Sequence, residues 1–133
     1  MNPRYPVGEI TFPAPERLSR RKRSFLDIAV RMAESSDVSF KHGAVIVRGG
    51  SVLSVGVNKW KNPVKPDNPT TEYNPNISIH AEVDALSRCN DPRGATIFIA
   101  RVNKQGEERI SRPCINCEQA LIKAGIKKVV YTL

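Results

Sequence analysis

Two short motifs constrain this chain more than anything else in it: Ile79-His80-Ala81-Glu82-Val83 and, further on, Pro113-Cys114-Ile115-Asn116-Cys117. His80, Cys114 and Cys117 can supply three ligands to one zinc ion, so the fold must bring two distant segments to a single point. Zinc with three protein ligands keeps its fourth position open, which is the arrangement of a catalytic site and not of a structural one. Water in that position is acidified to a pKa of about 7. Glu82 lies two residues past the histidine. Its carboxylate can take the water proton and hand it to a substrate nitrogen.

The rest of the chain suits one domain. A length of 133 residues with 40% hydrophobic content supports a single core. No apolar run approaches the ~20 residues that span a bilayer, so no membrane association is expected, and the N-terminus lacks the apolar stretch of a secretory signal. Three cysteines, two of them in a C-x-x-C, argue against a disulfide framework and for a reducing, cytoplasmic setting. Cys89 is read as a small buried helix residue. The formal net charge of +8 favours phosphorylated or polyanionic partners without separating a nucleotide from a nucleic acid.

Residues 1–15, with prolines at 3, 6, 13 and 15, read as an extended leader. A domain over 16–133 follows. A helix is expected from Pro15-Glu16, with Phe25, Ile28, Ala29, Met32 and Ala33 as its buried stripe. The run Arg20-Arg21-Lys22-Arg23 on that helix is a solvated face or a phosphate-contacting patch. Ala44 to Val47, the Gly49-Gly50 turn and Val52 to Val57 read as a hairpin. Residues 58–76 form a long polar loop carrying Lys59, Trp60, Lys61, Lys65 and Tyr73, in place to wall a substrate cleft; Trp60 stacks on a base or pins the loop. A helix follows from about Ile79, with Val83, Leu86 and Cys89 inward. Then come a strand over Ala95 to Ala100, an exposed charged loop over Val102 to Ile110, a helix opened by Cys114 and closed by Gly125, and a last strand over Lys127 to Thr132. His42 lies outside the motif, and as a fourth ligand it would close the site, so it is not counted as one. The order predicts an α/β layer fold with a mixed sheet, the last strand parallel to the one before the Cys114 helix. Both ligating segments sit at helix starts, where free N–H groups favour thiolates.

H-x-E followed by P-C-x-x-C is the pattern of zinc nucleobase deaminases. The chain resembles the cytidine and deoxycytidylate deaminase superfamily, through these motifs and through Lys41 to Val47, Gly56-Val57-Asn58 and Ala124 to Tyr131. The resemblance implies a three-layer fold with helices on both sheet faces, strand order 2-1-3-4, and a usual fifth strand that is missing here. The exposed edge of the last strand would then be covered by the leader or by a partner subunit, with a homo-oligomer favoured. It also implies Asn58 as a contact to the substrate sugar, Ala44 and Val45 as further substrate-site residues, and the backbone N–H groups of Ala81 and Cys114 facing the reacting atoms. The expected reaction is hydrolytic deamination of a cytosine nucleotide, deoxycytidylate first, with Arg112, Lys59 and Lys61 as candidate phosphate partners. Alternatives are a cytosine or adenine in single-stranded DNA or RNA, favoured by the charge and Trp60, and a free nucleoside or base. A zinc module without activity is the non-enzyme alternative, and the presence of Glu82 argues against it.

Overall fold

The computed structural model describes residues 9–11, 19–38, 40–60, 78–111 and 113–132. The first helix, α1 (Arg20–Glu34), starts where Ser19 can cap it: the Ser19 hydroxyl accepts the Lys22 N–H at 3.2 Å. The expected start at Pro15-Glu16 lies outside the described residues. Leu26, Ala29 and Ala33 form the buried face of α1, with Phe25 and Ile28 beside them. Arg20, Arg21 and Lys22 face solvent. Arg23 is tied to Asp27 at 2.9 Å and to Glu108 at 2.6 Å.

Two long strands, β2 (Lys41–Arg48) and β3 (Ser51–Val57), form the expected hairpin. Gly49 and Gly50 turn it with φ of 59° and 79°, values that side-chain-bearing residues rarely adopt. The remaining elements are β4 (Lys59–Trp60), β5 (Ser78–Ile79), α2 (Ala81–Ser87), β6 (Thr96–Val102), β7 (Glu108–Arg109), α3 (Ile115–Ala124) and β8 (Lys128–Tyr131), after a short strand β1 (Glu9–Thr11) that precedes α1. Gly125 ends α3 in the left-handed conformation at φ 87°.

The main sheet runs β1-β8-β6-β2-β3. Counting β2, β3, β6 and β8 as strands one to four, this is the expected order 2-1-3-4, and β6 and β8 are parallel. The outer place beside β8 is taken by β1, parallel to it, with Ile10 opposite Val129. Of the two ways to cover that edge, the leader is the one the structure uses, so the sheet does not require a partner subunit there. Residues 102–110, expected to be an open loop, instead fold back so that β7 pairs with β6 antiparallel. The Asn103 side chain holds the turn by accepting the Gln105 and Glu107 N–H groups, each at 2.9 Å.

The sheet separates two cores. On one face α1 covers Val45, Val47, Phe98, Ala100 and Val130. On the other, α2 and α3 cover Ala44, Ile46, Ile97, Ile99 and Tyr131. Alternation along each strand decides which face a residue serves.

The helix α2 lies unusually close to β3, and Gly56 is the reason. A Cβ there would fall 2.4 Å from the Ala81 oxygen and 2.4 Å from the Ala85 nitrogen. Gly56→Ala should therefore lift α2 from the sheet, lowering stability by about 2–3 kcal/mol. Because α2 carries Glu82, the expected proton carrier, turnover should also fall about a hundredfold, the effect of a displacement near 1 Å. Urea unfolding and steady-state assays on the same sample would read both.

Candidate functional site

The position of α2 is set by two further contacts with β3 and one with β4. The Ser54 hydroxyl donates to the Ala85 carbonyl at 2.8 Å. The Asp84 carboxylate accepts the Val57 N–H at 3.1 Å and pairs with Lys59 at 2.8 Å and Arg88 at 3.2 Å. Burial alone would raise the Asp84 pKa; the hydrogen bonds from Lys59, Val57 and Arg88 outweigh it and hold the group below the ordinary carboxylate value. A seven-residue helix pressed this tightly on a strand turns small residues inward. Ala81 and Ala85 are buried, whereas Val83, expected to point inward, is 42% exposed. Leu86 and Cys89 are partly buried against the core, as expected. His80 is the residue that caps α2, in extended conformation and with no side-chain capping bond.

The second segment is fixed by a residue that the sequence reading passed over. Ser111 is buried. Its N–H donates to the Thr132 carbonyl at 2.9 Å, and its hydroxyl donates to the Ile99 carbonyl and accepts the Thr132 N–H, both at 2.8 Å. This stitches the chain to the ends of β6 and β8 just before Pro113-Cys114. Cys114 then caps α3, its sulfur accepting the Cys117 N–H at 3.4 Å. His80 Nδ1 stands 3.0 Å from Cys117 Sγ and 3.6 Å from Cys114 Sγ. All three ligand atoms lie within 4.8 Å of one another, and no fourth group among the described residues joins them.

Beside this cluster is a cavity of about 260 Å³. Glu82, Ala81, His80 and Cys114 line one side, and Asn58, His42, Phe40 and Arg101 the other. His42 and Arg101 are cross-strand neighbours on β2 and β6, which explains their meeting. Arg101 holds its guanidinium 5.2 Å from the centre of the Phe40 ring. His42 Nδ1 must be the protonated nitrogen, since it bonds the Phe40 carbonyl at 3.1 Å and a carbonyl only accepts. Burial first, and the Arg101 and His80 charges after it, push the His42 pKa down despite that bond, so the ring is neutral.

The expected substrate residues divide. Asn58 reaches the cavity, but its amide is engaged: Oδ1 accepts the His42 N–H at 2.9 Å and Nδ2 donates to the Phe40 carbonyl. It holds the cavity wall together as well as facing it. Lys59 is occupied by Asp84 and is not among the cavity-lining residues. Ala44 is fully buried in the core beneath α2, and Val45 points to the opposite core under α1. The Trp60 side chain, Lys61, Lys65, Tyr73 and Arg112 lie outside the described residues. Arg101 falls between the expected strand over Ala95 to Ala100 and the expected loop from Val102; its signal is its place at the end of an apolar strand, two residues past Ile99.

Residues 19–133 match the family described as the cytidine and deoxycytidylate deaminase zinc-binding region. The chain belongs to this deaminase family. A relative in Aliivibrio fischeri, an uncharacterized deaminase in the luxG 3′ region, is 29% identical over 116 residues, covering 84% of this chain and 72% of that protein. The fold is similar to that of a dCMP deaminase from the cyanophage S-TIM5, solved with dCMP and dUMP. The TM-score is 0.67 at 23% identity, over 86% of this chain and 83% of that one. It is also similar to guanine deaminase from Bacillus subtilis, with a TM-score of 0.54 at 23% identity over 86% and 64% of the two chains.

In this deaminase the donor set fits zinc. Sulfur and nitrogen ligands on one tetrahedral zinc stand about 3.5 Å apart, given zinc–sulfur and zinc–nitrogen distances of about 2.3 and 2.0 Å. The distances from His80 Nδ1 to the two sulfurs, 3.0 and 3.6 Å, lie on either side of that spacing. Burial pushes the Cys117 thiol strongly up, and the neighbouring Glu82 and Cys114 add to this. Burial likewise raises Glu82, against the opposing hydrogen bonds from its own backbone N–H and from Cys117. The buried Cys117 thiol and Glu82 carboxyl, this close together, can ionise together only beside a cation.

Proposed function

We propose that this deaminase hydrolyses the exocyclic amino group of a cytosine nucleotide, deoxycytidylate above all. The observation that supports it most is the union, in one cavity, of a zinc-type donor set, the buried Glu82 carboxyl and the Arg101 cation. His80, Cys114 and Cys117 would hold zinc, which would supply an acidified water at the cavity wall. Glu82 would carry one proton of that water to the ring nitrogen and the other to the amino group as it leaves as ammonia, the water oxygen staying as the carbonyl oxygen of the uracil product. Ala81 and Cys114 line the cavity, and their N–H groups are offered to the reacting atoms. Asn58, locked by His42 and Phe40, presents a rigid wall to the sugar. Arg101 lines the cavity and meets the 5′-phosphate.

A second reading rests on Phe40. It is 40% exposed under the Arg101 guanidinium, and a cation with an aromatic ring at the mouth would also suit a base of single-stranded DNA or RNA.

Ammonia release by zinc-loaded protein tests both, using deoxycytidylate, cytidylate, deoxycytidine, and single-stranded DNA and RNA oligomers at two salt concentrations. Turnover of monophosphates without oligomers is expected. Turnover of oligomers alone, falling steeply with salt, would replace the first reading with the second. Arg101→Gln should raise KM for deoxycytidylate about 10–100-fold, the worth of a charge-assisted hydrogen bond, and leave KM for deoxycytidine unchanged.

A further inference from the structure

The cavity wall opposite Glu82 carries His42, and the sheet explains why its ring is there. Successive residues of a strand serve opposite faces. Gly43 faces α1, packed against the backbone of Ala29 and Ala33. His42 therefore shares the face of Ala44 and Ile46, which α2 and α3 cover. Its cross-strand partner Arg101 continues the stripe of Ile97 and Ile99 on β6 in the same way.

The Phe40 carbonyl fixes two side chains of this wall. It accepts from His42 Nδ1 at 3.1 Å and from Asn58 Nδ2. Asn58 Oδ1 in turn accepts the His42 backbone N–H at 2.9 Å. The His42 ring is thus held with its proton on Nδ1, and Nε2 is left as an acceptor. Among the described residues no hydrogen bond reaches Nε2. The rest of this wall is of another kind: Arg101 has only donors, Asn58 Oδ1 is engaged, and Phe40 sets its ring against the Arg101 guanidinium. A lone pair repels phosphate oxygens and attracts an O–H or N–H. The amino group of a cytosine nucleotide must face Glu82 and the His80, Cys114 and Cys117 cluster on the other wall. The sugar hydroxyls are the donors that remain, and deoxycytidylate has one, at the 3′ carbon.

We infer that His42 Nε2 accepts a hydrogen bond from the 3′-hydroxyl of the substrate sugar, and so selects a free nucleotide over one inside a polynucleotide, whose 3′ oxygen is esterified. The inference rests on the proposed deamination of a cytosine nucleotide. Zinc-loaded protein should favour deoxycytidylate over 2′,3′-dideoxycytidylate at least about tenfold in kcat/KM, the effect of leaving one acceptor unpaired. His42→Phe keeps a planar ring without an acceptor. In it the two values should converge, with the loss for deoxycytidylate appearing in KM. His42→Gln, which can still accept, should keep part of the preference. A purely supporting role for His42 would slow both substrates alike and leave their ratio as it was. A measurement on the wild type covers a variant that does not fold. The chain has 2 histidines, so the ring nitrogens of His42 can be followed individually by NMR. Nε2 should shift with the product deoxyuridylate and not with 2′,3′-dideoxyuridylate. Equal turnover of the two cytosine nucleotides by the wild type would overturn this inference alone. So would a preference that survives intact in His42→Phe, or an Nε2 resonance indifferent to the 3′-hydroxyl. A protein that releases ammonia from neither nucleotide would overturn the cytosine-nucleotide reading and this inference with it.

Discussion

Glu82→Gln should retain zinc and fold but lose turnover, with kcat reduced about 10³–10⁴-fold, the upper part of the range for a positioned acid–base group. The glutamine keeps the shape of the side chain and cannot move a proton. Glu82 is 4% exposed, and burial already disfavours its charged form. The neutral variant should therefore melt at the same temperature as the wild type or slightly above it, the usual relation where a catalytic charge is held in a dry site. Metal content, melting temperature and ammonia release on one preparation would decide it. Full activity would remove Glu82 from the mechanism. Inactivity with loss of zinc would make it part of the metal site instead.

Cys117→Ala should show the opposite combination. Cys117 is buried and stands 3.0 Å from His80 Nδ1, so its sulfur joins α3 to the start of α2. Removing it leaves two ligands, and zinc content should fall from near one per chain to near zero. Activity should vanish with it. Stability should drop by several kcal/mol, because the free energy of holding zinc is also folding free energy, on the order of 10 kcal/mol in small zinc domains. A chelator applied to the wild type should reproduce the variant's melting curve. A Cys117→Ala protein that keeps its zinc and its activity would remove that residue from the ligand set. The two variants together separate proton transfer from metal holding, which single inactivations do not.

The parts legible in the sequence were those governed by local chemistry. The spacing of His80, Cys114 and Cys117, the Gly49-Gly50 turn and the Gly125 stop each carry their physical requirement within a few residues. The parts that were not legible depend on contacts between distant segments. Ser111 sits in a charged stretch that reads as loop, and only the arrival of Thr132 and Ile99 makes it an anchor. Arg101 becomes a site residue because register places it opposite His42. Val83 was assigned inward by hydrophobicity, but a helix of seven residues has too few turns for periodicity to settle its face. The demand of Gly56 for small neighbours settled it instead. Lys59 looked like a phosphate cation until Asp84, far along the chain, was found to hold it.

The pairing of β1 with β8 has a consequence in time. Of the described elements, β1 is made first and β8 last, yet each is the other's neighbour in the sheet. During synthesis the earlier strands and α1 can collapse as they emerge, while β1 has nothing to join until Lys128–Tyr131 is complete. The sheet can therefore close only after His80, Glu82, Cys114 and Cys117 have all been translated, and all four have left the ribosome before the last edge is sealed.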